Sequence, residues 1–285
     1  MPELPEVETV ANGVHQRIAG DRIEEVWFSS KREPMKTPPA AMAKALTGRT
    51  IERVYRVGKH IVFDFAPQAE RDPKRETVQW IVHLGMTGRL VVADPDLPRP
   101  PHTHGVLVLR SGRELRFVDA RRFGRMGLHI AEKVTGDNAD IAGFQGPGTE
   151  PLGISKADFR KLFHQRRTSI KAALLNQSLL HGVGNIYADE SLFRAKIRPR
   201  RMAARLSAQE LDRLHTAVQK VLREAIRAGG SSVSDYVDAG GERGFFQLRH
   251  NVYMRTGQPC LICKTPIRRI VIAGRGTHYC PVCQR

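Results

Sequence analysis

The feature that most limits how this chain folds is the placement of its four cysteines. They stand as Cys260-x2-Cys263 and Cys280-x2-Cys283, two pairs sixteen residues apart, all within the last 26 residues. A short pair holds two sulfurs on one side of a tetrahedron, so two such pairs match the donor set of a structural Zn2+ site. A segment this small buries too little apolar surface to fold without a staple, and metal binding supplies one. With four thiolates and no open position, the single ion organises structure and takes no direct part in chemistry. The stretches 267–272 and 277–279 between the pairs suit a β-hairpin. Confinement of the cysteines to one end is unlike a disulfide framework spread over a secreted chain. Arg268, Arg269 and Arg275 lie on the intervening stretch, either as a surface facing phosphates or as solvated charge.

Charge narrows the partner. The 285 residues carry a net charge of +17 and a pI near 10.3, which points to a polyanion, either nucleic acid or an anionic membrane. The longest apolar stretches, such as 78–84, are far too short to span a bilayer, and no charged segment followed by an apolar run opens the chain. A soluble, intracellular protein with no membrane partner is expected. Its length accommodates two domains and a small appended module.

Along the chain, segments rich in β-branched and aromatic residues recur at 22–28, 51–57, 60–65, 77–83, 89–93, 106–110, 114–119 and 125–130. They predict a β-sandwich or barrel of about 130 residues. A proline-rich loop is expected at 94–101, and residues 135–153, without periodicity and rich in Gly, Asp and Pro, read as an interdomain linker. From Ser155 the pattern is helical. Ser207 and Glu210 form a capping-box signature ahead of an apolar stripe, Leu211, Leu214, Val218, Val221, Leu222 and Ile226, that ends at Gly229-Gly230. Two shorter helices, 169–177 and 185–195, flank a turn containing Gly182 and Gly184. That turn is either a plain helical hairpin or a place where backbone N–H groups meet a phosphate. Residues 231–244, polar and glycine-rich, read as a mobile loop.

The N-terminus carries the chemistry. Removal of Met1 turns Pro2 into a free secondary amine, and an α-amino group with a pKa of about 7.7 to 8.0 is partly an unprotonated nucleophile near neutral pH. Such an amine attacks an electrophilic carbon and becomes an iminium, provided a neighbouring acid protonates what departs. Glu3 and Glu6 are the acids at hand. Val7, Val10, Ala11, Val14 and Ile18 follow at helical spacing, which would place both glutamates in the first turn of an amphipathic helix. The plainer alternative is that the prolines start a surface helix and the glutamates complement its dipole.

Several motifs in chain order together resemble the bacterial formamidopyrimidine-DNA glycosylase family. They are Pro2-Glu-Leu-Pro-Glu-Val-Glu-Thr9, Gly58-Lys59-His60, His83-Leu-Gly-Met-Thr-Gly88, Asp119-Ala-Arg-Arg-Phe-Gly124, Gly182-Val-Gly-Asn-Ile-Tyr-Ala188 and the four-cysteine module. The resemblance implies an α+β fold: a β-sandwich with the catalytic helix over 1–134, a linker over 135–153, a helix-two-turn-helix domain with a lesion-capping loop over 154–245, and a zinc finger over 246–285. It implies a monomer, cytoplasmic and associated with the bacterial nucleoid, that acts on double-stranded DNA containing an oxidised base or an abasic site. The activity implied is excision of oxidised purines such as 8-oxoguanine and formamidopyrimidines, followed by strand cleavage.

Position by position, the family pattern makes Pro2 the nucleophile at the sugar C1′, Glu3 the acid that assists sugar opening, and Glu6 a supporting carboxylate. Lys59 corresponds to the proton donor or phosphate contact of the first elimination and Arg275 to its counterpart for the second. Met86, Arg121 and Phe123 match the wedge inserted when a base leaves the stack. His102, Arg167 and Asn185 match DNA-contacting positions. Two departures stand out: family members commonly carry lysine where Arg167 stands and proline where Ala120 stands. Two alternatives remain open at this point. One is a glycosylase of the endonuclease VIII type for oxidised pyrimidines, whose opening typically has glycine where this chain has Leu4. The other is a noncatalytic zinc-ribbon DNA-binding protein, which gives no reason for Pro2-Glu3.

Overall fold

The computed structural model describes residues 1–67, 76–132, 143–232, 237–242 and 244–285. Residues 135–142 of the expected linker, and residues 233–236 and 243 of the expected loop, lie outside the described residues. The chain forms two compact units, one of Met1–Pro2, Glu6–Gln145 and Ser231–Gly244, the other of Glu3–Pro5, Gly146–Gly230 and Phe245–Arg285.

In the first unit, helix α1 (Leu4–Ile18) buries its predicted stripe, Val7, Val10, Ala11, Val14 and Ile18, in a core shared with two four-stranded antiparallel sheets. One sheet has the order β1 (Ile23–Phe28), β6 (Thr103–Leu109), β7 (Glu114–Val118), β5 (Arg89–Ala93). The other has the order β2 (Ile51–Val57), β3 (His60–Phe65), β4 (Glu76–His83), β8 (Arg125–Glu132). Inward residues of both sheets, among them Phe63, Trp80, Leu107 and Phe117, fill one core, the arrangement of a sandwich. All eight strand segments read from the sequence are present. Strand β6 begins three residues early, because its register shifts between Thr103 and Gly105 and the shift breaks the alternation that marks a strand. A helix missed by the sequence reading, α2 (Pro39–Leu46), starts on a proline and buries Met42 and Leu46.

The segment read as a mobile loop is, over residues 237–242, a turn fastened to this core. Asp238 accepts hydrogen bonds from Gly240 N at 2.8 Å and Glu242 N at 2.9 Å, and Val92 N donates to Ala239 O at 3.2 Å. Ala239 is fully buried, and a Cβ on Gly13 would lie 3.1 Å from its methyl group. Composition hid this, because one aspartate and one alanine do the fastening inside an otherwise polar stretch.

The second unit is helical. Ser155 caps α3 (Lys156–Phe163), Ser169 caps α4 (Ile170–Leu175), and Ser207 with Glu210 closes the full capping box of α6 (Ala208–Arg227). Between α4 and α6 runs α5 (Asn185–Arg194), eight of whose residues are buried. Helix α4 ends two residues before the expected 177, where the Asn176 side chain accepts from Ser178 N and opens the turn. The hairpin of β9 (Arg268–Ile272) and β10 (Arg275–Tyr279) carries the cysteines at its base, around Val252, Ile267 and Phe193. Among the described residues no helix is long and apolar enough to cross a membrane.

Candidate active site and zinc centre

The sulfurs of Cys260, Cys263, Cys280 and Cys283 all lie within 4.8 Å of one another, with Cys260–Cys283 at 3.9 Å and Cys263–Cys280 at 3.4 Å. A tetrahedral ion with Zn–S bonds of about 2.3 Å requires S···S separations of about 3.8 Å. The observed spacings bracket that value, so the four side chains fit one structural Zn2+. Hydrogen bonds from Thr265 hold the Cys263 thiol down at about 6, whereas burial pushes the Cys280 and Cys283 thiols up, so the fit to a metal rests on the sulfur geometry. The end of the chain closes the module: Gln284 donates to Ile197 O at 2.9 Å and Arg198 N to Arg285 O at 3.0 Å.

Glu3 lies just before α1 rather than in its first turn, and its carboxylate caps a different helix. It accepts from Ile186 N at 3.1 Å and Tyr187 N at 3.4 Å, the open donors at the start of α5, whose N-cap residue Gly184 has no side chain to offer. The two glycines of the preceding turn are what admit it. A Cβ at Gly184 would stand 2.3 Å from the Glu3 carboxyl carbon, and one at Gly182, with φ +91°, would stand 2.8 Å from Leu4. The turn therefore receives the protein's own carboxylate, so Ile186 N and Tyr187 N are already engaged. Glu3 is 3% exposed and Glu6 2%. Glu6, in the first turn of α1, accepts from Ser231 N at 2.7 Å and so fixes the start of the 231–244 segment.

Sequence reasoning missed a buried charge cluster behind this site. Asp189, fully buried on α5, accepts from the Lys171 ammonium of α4 and, at 2.8 Å, from His278 N on β10. Burial pulls the pKa of Lys171 below the ordinary lysine value, with Asp189 opposing. Its neighbour Glu190 gathers Asn251 N, Val252 N and Tyr253 N at 2.9–3.0 Å. Asn185 Nδ2 donates to Gly276 O at 3.0 Å, tying the first residue of α5 to the strand that Arg275 opens. Two adjacent acids amid apolar residues of one helix were the available signal. Arg275 is exposed, and Arg167 is exposed in the connection between α3 and α4.

In the first unit, Lys59 follows Gly58 (φ 60°) in the β2–β3 turn. Met86, Arg121 and Phe123 come together on two touching loops: a Cβ on Gly85 would meet Gly124 N at 2.5 Å. Phe123 is 47% exposed, with the Arg121 guanidinium 4.8 Å from its ring centre, and Met86 is 38% exposed. The fully buried Asp119 accepts from Thr87 Oγ1 at 2.5 Å and Gly124 N at 2.7 Å, joining the loops. Exposed His102, with φ 65°, sits beside them, its carbonyl accepting from Asp119 N at 3.0 Å. Pro2 is buried, while Met1 is exposed and its peptide bond makes the Pro2 nitrogen an amide.

Burial, then the charges of His60, Lys59 and Arg125, drives the His83 pKa from 6.5 to about 4. The neutral ring accepts from Gly85 N at 3.2 Å through Nδ1, which shapes the turn that presents Met86. Between pH 6.5 and 4 the unfolded chain binds this proton and the folded one does not, so folding stability falls as pH falls through that window. The expected loss is on the order of 3 kcal/mol at most. Urea unfolding at pH 7 and 4.5 should show a smaller acid loss in His83→Asn than in the wild type; equal losses would show that His83 contributes nothing to it.

Three family models match the chain: the formamidopyrimidine-DNA glycosylase N-terminal domain over residues 1–126, its H2TH domain over 148–237, and the zinc finger found in FPG and IleRS over 257–285. The chain is 44% identical over 285 residues to a formamidopyrimidine-DNA glycosylase of Solibacter usitatus, with both chains covered fully. It is 43% identical over 290 residues to that of Geobacillus kaustophilus, again with full coverage of both. Among solved structures, it superposes on a Lactococcus lactis FPG mutant bound to Fapy-dG-containing DNA with a TM-score of 0.86, 34% identity and full coverage of both chains. MutM in complex with DNA containing carbocyclic 8-oxo-G matches with a TM-score of 0.85, 34% identity and the same coverage.

Proposed function

The chain belongs to the formamidopyrimidine-DNA glycosylase family, and from that premise we propose that it is a base-excision DNA glycosylase and abasic-site lyase for oxidised purines. The observation that carries this reading is Glu3, a buried carboxylate one residue from an N-terminal proline and held by the first amides of α5. Once Met1 is removed, the Pro2 nitrogen attacks C1′ of the damaged nucleotide, the base departs, and opening of the sugar ring gives an iminium. Glu3 carries the proton to the ring oxygen as it opens. The iminium acidifies the C2′ proton, so the 3′-phosphate leaves and then the 5′-phosphate, with Lys59 and Arg275 supplying positive charge to the departing oxygens. Water releases the proline from the remaining sugar fragment.

The other site residues serve recognition. Met86, Arg121 and Phe123 fill the space vacated by the extruded nucleotide, and the guanidinium addresses the orphaned base. His102, Arg167 and Asn185 contact the backbone. Glu6 steadies the start of the 231–244 segment, which covers the lesion. Segments 1–134, 154–245 and 246–285 divide this labour, joined at 135–153, and the net charge of +17 suits the polyanion. Every group the scheme needs comes from one chain, which supports action as a monomer in the bacterial cytoplasm. Leu4, seated against Gly182 where the endonuclease VIII pattern has glycine, favours purine lesions over pyrimidine ones.

The decisive experiment is borohydride reduction of the methionine-trimmed protein with a duplex carrying 8-oxoguanine opposite cytosine. A covalent protein–DNA adduct is expected, and acetylation of the N-terminus should abolish it. An adduct that survives acetylation would place the nucleophile elsewhere, and no adduct from the trimmed protein would remove the lyase mechanism.

A further inference from the structure

We propose that Arg125 is a positioning residue for the wedge: it sets the shape of the loop that presents Arg121 and Phe123, and so governs how readily the protein holds a base out of the duplex. This rests on the glycosylase reading above. The loop is intrinsically unfavourable. Asp119 to Arg122 form a tight turn, with Arg122 N donating to Asp119 O at 3.3 Å, and Arg122 then adopts φ 56°. A left-handed conformation costs a residue with a side chain roughly 1 kcal/mol or more, and the exposed Phe123 ring that follows contributes no core packing in return.

Beside the exposed Arg122–Glu33 ion pair at 2.9 Å, two sets of bonds to the loop's own backbone hold it against that tendency. The Asp119 carboxylate fastens its start and end through Arg121 N at 3.3 Å and Gly124 N at 2.7 Å. The Arg125 guanidinium supplies the other: a single nitrogen, Nη1, donates to Arg122 O at 3.0 Å and to Gly124 O at 2.7 Å. Those carbonyls belong to the residues immediately before and after Phe123. The Arg122 carbonyl lies in the peptide plane that enters Phe123, so its bond to Arg125 holds that plane and Arg122 in its left-handed state, while the Gly124 carbonyl pins the exit of the loop and Asp119 holds the plane between Phe123 and Gly124 through Gly124 N. Arg125 can do this because it is itself rigidly placed, as the first residue of β8, paired with His83 at the end of β4. His83 in turn orders the turn that carries Met86. One side chain thus ties the Arg121–Phe123 loop to the strand ends from which the whole wedge is built.

The turn also shows why such a clamp is needed. Ala120 occupies its second position, where proline would pre-set the backbone, and alanine leaves that backbone free. The clamp and a proline at 120 should therefore be interchangeable. Arg125→Ala is expected to slow single-turnover release of 8-oxoguanine from a duplex by about tenfold or more. Cleavage at an abasic site in a single-stranded oligonucleotide should not change, because no base stack there needs a wedge. Adding Ala120→Pro to Arg125→Ala should recover most of the duplex rate.

A wild-type rate in Arg125→Ala, equal losses on both substrates, or no recovery with Ala120→Pro would each overturn the assignment. Failure of the wild-type protein itself to release the base would instead overturn the functional reading, and this proposal with it. Zinc content and thermal unfolding measured on every variant separate a misplaced loop from a misfolded protein.

Discussion

Glu3→Gln is expected to lower the single-turnover rate of base release by about 10³-fold while leaving affinity for the lesion duplex within about threefold. The size follows from what a positioned acid contributes to a bond-breaking step, typically 10²- to 10⁴-fold. Glutamine has the same length and shape, so it still reaches the start of α5, and its carbonyl oxygen still accepts from Ile186 N or Tyr187 N. Its amide group has no acidic proton to transfer. It also turns a donor toward a second backbone donor, so a stability loss of about 1 to 2 kcal/mol accompanies the substitution. Stopped assays on a defined duplex, binding by anisotropy and urea unfolding on the same preparation separate the three effects. If affinity falls as far as the rate, Glu3 is a structural cap and some other group carries the proton.

Removal of the zinc is the second large effect. Structural zinc contributes on the order of 10 kcal/mol to folding of such modules, more than the small cluster around Val252, Ile267 and Phe193 replaces. Chelation, or Cys260→Ser, is expected to unfold the finger, abolish strand cleavage and weaken DNA binding at least tenfold, with zinc restoring the chelated wild type. The helical unit should keep its far-ultraviolet signal, since the core of α3, α4, α5 and α6 contains no residue of β9 or β10. Its polar side fares worse. Asp189 loses His278 N, Asn185 loses Gly276 O, and Ile197 O loses Gln284, so buried acceptors and donors at α5 are left without partners. Metal analysis alongside the cleavage assay checks this; a zinc-free protein that nicks DNA at the normal rate would remove the finger from the mechanism.

Much of the molecule was legible before any coordinates. The stripe of α1, the eight strand segments, the Ser207 capping box and the cysteine spacing are local patterns that repeat at the period of the element they form. What escaped were features with no period. Helix α2 is a single short run after Pro39, β6 hides three residues behind a register shift, and the 237–242 turn depends on Asp238 and Ala239 alone. The buried trio Lys171, Asp189 and His278 spans 107 positions of sequence and no spacing rule links its members.

The same division runs through the site. Sequence alone determined the chemical types: an N-terminal proline with an acid beside it, four thiolates at metal spacing, a strongly basic surface and the motifs of one repair family. Those follow from composition and order, because a donor set or a nucleophile is defined by its atoms. Only the tertiary structure decided which groups Glu3 touches, that Gly182 and Gly184 are small to admit Leu4 and a carboxylate, and that Arg125 grips the loop around Phe123. Each is an encounter between residues distant in sequence or turned toward one another by a left-handed backbone. Their energies come from desolvated, directional hydrogen bonds whose partners are known only once the chain has closed on itself.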